Sequence, residues 1–160
     1  MASGEYAGGF EVFVDVSYLF LTDGETFVDN TFDPEGGENA LIIQPGRFDG
    51  PVQAHATGPT LEAEYAVEFE PGEDPDQLDE NVAREHGDEG WEAFTAHWSD
   101  LKIGGTPAFL QFEEYPSNGP WRLLIQLSET DLPFSVNFGT GIGYGFISVD
   151  GEQGKFLWQS

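Results

Sequence analysis

The sequence predicts an α+β domain: a mainly antiparallel, curved sheet or two packed sheets, with two short helices near 74–86 and 88–99. Three observations carry this reading. Strand-like apolar runs after residue 107 follow one another across tight connections, too short for a parallel crossover. Between 73 and 100 the apolar spacing changes from two to three or four. A chain of 160 residues that is 39% hydrophobic and 14% aromatic can bury a core as one domain, 1–160.

The first element is "GFEVFVDVSYLFL", 9–21. Phe10, Val12, Val14, Val16, Tyr18 and Phe20 share one face of a period-2 pattern, with Phe13, Leu19 and Leu21 opposite. This predicts a strand partly buried on both sides. Asp23-Gly24 reads as a turn, and 29–40 as a polar loop. Short strands are expected at 40–45 and 51–56.

"TLEAEYAVEFEP", 60–71, has the cleanest alternation. Leu61, Ala63, Tyr65, Val67 and Phe69 point one way, and Glu62, Glu64, Glu68 and Glu70 the other. Like charges two residues apart stand about 7 Å from each other on one face. Such a face is wet, or something positive covers it.

In "EDPDQLDENVAREHG", 73–87, Asp74 is the expected N-cap, with Pro75 at the first helical position and Gln77 completing a capping box. Glu80 and Arg84 form an i,i+4 pair, and Gly87 ends the helix. In the second helix, Trp91, Phe94 and Trp98 make an aromatic stripe suited to packing on the sheet. Strands are then expected at 107–114, 121–128, 133–139, 142–150 and 155–159. Glycines 139, 141, 143 and 145 mark a bulged or closely approached strand. Lys102-Ile103-Gly104-Gly105 falls where a helix must turn into a strand.

Charge is the extreme property. Thirty acids oppose five bases (Arg47, Arg84, Lys102, Arg122, Lys155), for a formal net charge of −25. Such a field repels nucleic acid and anionic membrane and attracts basic proteins. It also suits a very salty cytoplasm. Both readings stand at this point.

With no cysteine, disulfides, thiolate metal sites and thiol nucleophiles are excluded. The start "MASGEYAGGF" has neither the positive nor the apolar segment of a signal peptide, which predicts a cytoplasmic chain. No phosphate-loop, dinucleotide, zinc-protease or nucleophile-elbow motif occurs. No catalytic residue, metal or cofactor is expected. The loop 33–39 is a loose candidate for a hard cation. His97 with Asp100 or Glu92 is a possible pair.

The C-terminal part, roughly 98–160, resembles YwqG-like proteins, a bacterial family of unknown function. The resemblance rests on "KIGGTPAFLQ", "LLIQL", "FGTGIGYGFISVD" and "FLWQ", taken together and in that order. Lys102, Gly104, Gly105, Pro107, Gln111, Gln126, Gly139, Gly141, Gly143 and Phe146 fill the matching places, while Thr140 stands where the family often has an acid. It implies a mixed, mostly β fold. Because some relatives lie near toxin–immunity clusters, it also implies by association an immunity-type role.

The expected function is a non-enzymatic acidic module that binds a basic protein, for example an immunity or inhibitor protein for a toxin. Residues 61–100 hold fourteen of the thirty acids against one base, Arg84, nearly twice an even share. The expected binding residues are Glu62, Glu64, Glu68, Glu70, Glu73, Asp76, Asp79 and Glu80. Two alternatives remain: a halophile-adapted domain, and a ligand site or enzyme using the loop of Lys102, Gly104, Gly105 and Gln111.

Overall fold

The computed structural model describes residues 16–22, 30–44, 63, 65–76 and 78–160. The expected strand at 51–56, the Asp23-Gly24 turn, residues 9–15, Glu62, Glu64 and Gln77 lie outside them.

The α+β class holds. Strands β1 (Val16–Phe20) and β2 (Ala40–Gln44) pair antiparallel in one small sheet. A second, four-stranded antiparallel sheet has the order β3 (Lys102–Ile103), β4 (Trp121–Ser128), β5 (Ile142–Ser148), β6 (Gly154–Gln159). Helices α1 (Glu80–Glu85) and α2 (Gly87–Ala96) precede it, and a single 3-10 turn at His97–Ser99 leads into β3. Among the described residues no helix is long and apolar enough to cross a membrane.

The larger sheet is covered on both faces. On one side Ile147 and Phe156 meet Leu41 and Ile43 of β2, together with Val136 and Phe138. On the other, Leu123, Ile142, Tyr144, Phe146 and Leu157 pack with Trp98 and Phe109. The glycine alternation in β5 follows from the first packing. A Cβ on Gly143 would lie 2.6 Å from the Phe156 ring, and one on Gly145 would lie 2.7 Å from Ile125 Cγ2. These glycines admit close neighbours. The register irregularity itself lies in β4, between Leu123 and Ile125.

Several expectations need correction. In β1 the core face is Leu19, opposite Leu41, whereas Val16, Tyr18 and Phe20 are exposed. Residues 65–70 form no strand, and Tyr65, Val67 and Phe69 stand exposed. Alternation fits a strand only where another strand pairs with it, and among the described residues none does. The first helix begins at Glu80, not near 74. Its N-cap is Asp79, whose carboxylate accepts from the Asn81 and Val82 amides. Asp74 is drawn instead to Lys102.

The segment 107–114 is also not a strand, and its backbone is held by side chains of the sheet. Gln126 Oε1 accepts the Ala108 N–H, and Tyr144 Oη accepts from Leu110 and donates to the Ala108 carbonyl. Gln159 accepts from Leu110 and Gln111 and donates to the Phe112 carbonyl. Gln126 also donates to the His97 and Asp100 carbonyls. These buried polar groups answer one another, as burial requires. Residues 133–139 likewise lack a ladder, although Val136 and Phe138 point into the core.

Candidate functional site

Asp74 and Lys102, 28 residues apart in sequence, form a clasp beside the Gly104-Gly105 turn. Lys102 Nζ donates to Asp74 Oδ2 at 2.6 Å and to the Thr106 carbonyl at 2.7 Å. Asp74 Oδ2 also accepts the Thr106 N–H, and the Thr106 hydroxyl donates to the Pro75 carbonyl. The Lys102 and Asp74 side chains are 13% and 21% exposed. Gly104 and Gly105 have φ of 74° and 78°, and a Cβ on Gly105 would lie 2.2 Å from Asp74 Oδ2. Both the left-handed turn and the approaching carboxylate require glycine there.

Partial burial pushes the Asp74 carboxyl up. The Lys102 hydrogen bond, the Thr106 N–H and the Lys102 charge outweigh it and hold the group below its ordinary 3.8. His97 Nδ1 lies 2.8 Å from Asp100 Oδ2, so the expected pair forms with Asp100. Asp74, His97 and Asp100 each bring one donor atom within 4.8 Å of the others, a possible cation set. The Lys102 ammonium, 2.6 Å from Asp74 and 4.0 Å from Asp100, already supplies positive charge to both carboxylates.

The clasp is one end of a strap. At the other end Tyr65 stacks obliquely on Phe134, with 5.6 Å between centroids, and its hydroxyl donates to the Pro133 carbonyl. Between these anchors Glu68, Glu70 and Glu73 are exposed, and Val67 and Phe69 are each 68% exposed. The strap borders two adjoining clefts of about 490 and 920 Å³. Glu68, Phe69, Leu101, Lys102 and Ile103 line both.

The expected binding residues divide accordingly. Glu68, Glu70, Glu73 and Asp76 are exposed on or just beyond the strap. Asp79 is engaged as a helix cap, and Glu80 is paired with Arg84 at 2.6 Å. Arg84 also lies 4.0 Å over the Trp91 ring. Lys102, Gly104 and Gly105 line the smaller cleft. Gln111 does not join them: its backbone N–H meets Gln159 and its side chain meets the Ser160 carbonyl. The loose candidate at 33–39 is tied to the sheet through Glu35, which takes Lys155 at 2.6 Å and the Ser117 hydroxyl.

Sequence reasoning missed Tyr65 and Asp74 as anchors, and missed that β3 has no strand on its second side among the described residues. One signal pointed to the clasp: Lys102 is one of five bases among thirty acids. No protein-family model matches the chain, and neither a curated protein nor a solved structure matches it.

Proposed function

We propose that this chain is a non-enzymatic acidic module that docks a basic protein through the strap and the acids that follow it. The observation that carries the reading is the strap. Glu68, Glu70 and Glu73 are exposed on a segment fixed by Tyr65 and Asp74, with Val67 and Phe69 exposed among them and Asp76 exposed just beyond it. Carboxylates of this kind steer a basic partner, and the apolar side chains supply area to bury on contact. Asp88, Glu89 and Glu92 of α2 extend the same field. An immunity or inhibitor role for a toxin is the concrete form, supported by the resemblance of residues 98–160 to YwqG-like proteins. A cytoplasmic location belongs to the same reading.

The test compares two variants of equal net charge as bait for basic proteins. Glu68→Lys, Glu70→Lys and Asp76→Lys together reverse the strap field. Glu38→Lys, Glu113→Lys and Glu152→Lys make the same change at exposed sites elsewhere. A partner retained by the parent and the dispersed variant, but lost with the strap variant and at high salt, supports local docking. Equal loss with both variants means that acidity in general is responsible, as in salt adaptation. A parent that unfolds at low salt and refolds in molar salt supports that second reading too.

A further inference from the structure

Among the described residues, strand β3 pairs with β4 on one side and with no strand on the other. Its pairing register sets Lys102 against Gln126 and Ile103 against Ile125, and the Gly104 N–H donates to the Leu124 carbonyl. Backbone groups alternate in direction along an antiparallel pair. Gly104 and Lys102 therefore face β4, and the N–H and C=O of Ile103 point away from it, to the edge that no described strand pairs with. The smaller cleft lies along this edge, with residues 68–72 of the strap as its other wall.

Rim and bed differ in character. Glu68 and Glu70 place carboxylates on the rim. Where the larger cleft continues, the bed is apolar, formed by Leu19, Leu21, Ile125, Leu127 and Val136. Thr22 also lines it, and its buried Oγ1 has no hydrogen-bond partner among the described residues. The Lys102 ammonium is held by Asp74 and does not present an uncompensated positive charge to the groove.

We propose that this groove takes an extended segment of the partner, in which basic and apolar residues alternate, as an added strand on the β3 edge. The inference rests on the docking role proposed above and specifies its mode. Ile103 supplies backbone pairing, the apolar bed takes every second side chain, and the carboxylates meet the basic side chains between. Main-chain bonds then give affinity, and the alternation gives specificity. The exposed Leu101 and Ile103 side chains become covered in this arrangement.

The test uses the full chain and two capped synthetic peptides of one composition. In one, Lys and Val alternate; in the other, they are segregated into two blocks. Affinity is read by titration, and hydrogen exchange of the Ile103 amide is followed by NMR. The alternating peptide is expected to bind about tenfold more tightly than the block peptide and to slow exchange at Ile103 about tenfold. It should lose that affinity on the variant carrying Glu68→Lys, Glu70→Lys and Asp76→Lys. Equal, salt-sensitive binding of both peptides, with Ile103 unaffected, overturns strand addition and leaves acidic docking standing. No binding of either peptide overturns strand addition as well. If the capture experiment still retains a basic protein in that case, only the mode has failed. An Ile103 amide already protected in the free chain means that the chain itself fills the edge, and also overturns the proposal.

Discussion

The strap and strand β5 carry the same kind of residue in opposite states. Tyr65, Val67 and Phe69 alternate on the strap, as Ile142, Tyr144 and Phe146 alternate on β5. Tyr144 and Phe146 have no exposed surface, whereas Phe69 is 68% exposed. Intrinsic preference does not separate the two regions. β5 is paired on both sides, by β4 and β6, while 65–70 is paired on neither among the described residues. Burial and backbone pairing arise together in β5, and the strap is left with apolar and acidic groups facing outward. Stability should therefore reside in the sheet and binding in the strap.

Substitutions can break this division. The largest effect is expected from Phe146→Ala, which empties a fully buried aromatic site. A loss of about 3–5 kcal/mol of unfolding free energy in urea is expected. Tyr144→Phe keeps the ring but leaves the Ala108 carbonyl without its donor and the Leu110 N–H with only Gln159. The same measurement should show a loss of about 1–3 kcal/mol. Burial pushes the Tyr144 phenol up, against a smaller opposing effect of the Leu110 N–H, so the hydroxyl remains a donor in neutral solution.

Lys102→Met sharpens the comparison where strap and sheet meet. It removes the ammonium from a partly buried carboxylate, and a loss of about 1–2 kcal/mol at neutral pH is expected, between exposed and buried ion pairs. The pH dependence has a definite sign. The Asp74 carboxyl is depressed in the folded chain, so its contribution is fully present above its ordinary value of 3.8 and is lost as pH falls through the folded value. The stability gap between parent and variant should close on acidification below that ordinary value. A gap that persists there means that Lys102 acts by packing. The smallest stability effect belongs to Phe69→Ser, within about 0.5 kcal/mol. The same change should weaken the alternating peptide measurably. A large loss of stability in this variant would place the strap in the folded core.

Legibility in the sequence divides along the same line. β2, β4, β5 and β6 are recognisable because their alternation coincides with real partners, and only a tight turn separates β5 from β6. The 107–114 segment misleads because its bonds run to Gln126, Tyr144 and Gln159, 18 to 49 residues distant. A side chain that substitutes for a neighbouring strand leaves no local pattern. Asp74 and Asp79 both carry cap chemistry. The choice between them is made by Lys102, whose link to Asp74 spans 28 residues. The acids at 68–76 were evident from composition, but their placement beside β3 depends on anchors at Tyr65 and Asp74 that no spacing reveals.

The most direct measurement is the affinity of the alternating peptide for the two variants of equal net charge. Binding by the dispersed variant, Glu38→Lys with Glu113→Lys and Glu152→Lys, should match the parent. Binding by the strap variant, Glu68→Lys with Glu70→Lys and Asp76→Lys, should fall about tenfold or more. Equal weakening in both would contradict a local docking strap and assign the attraction to the charge of the whole chain.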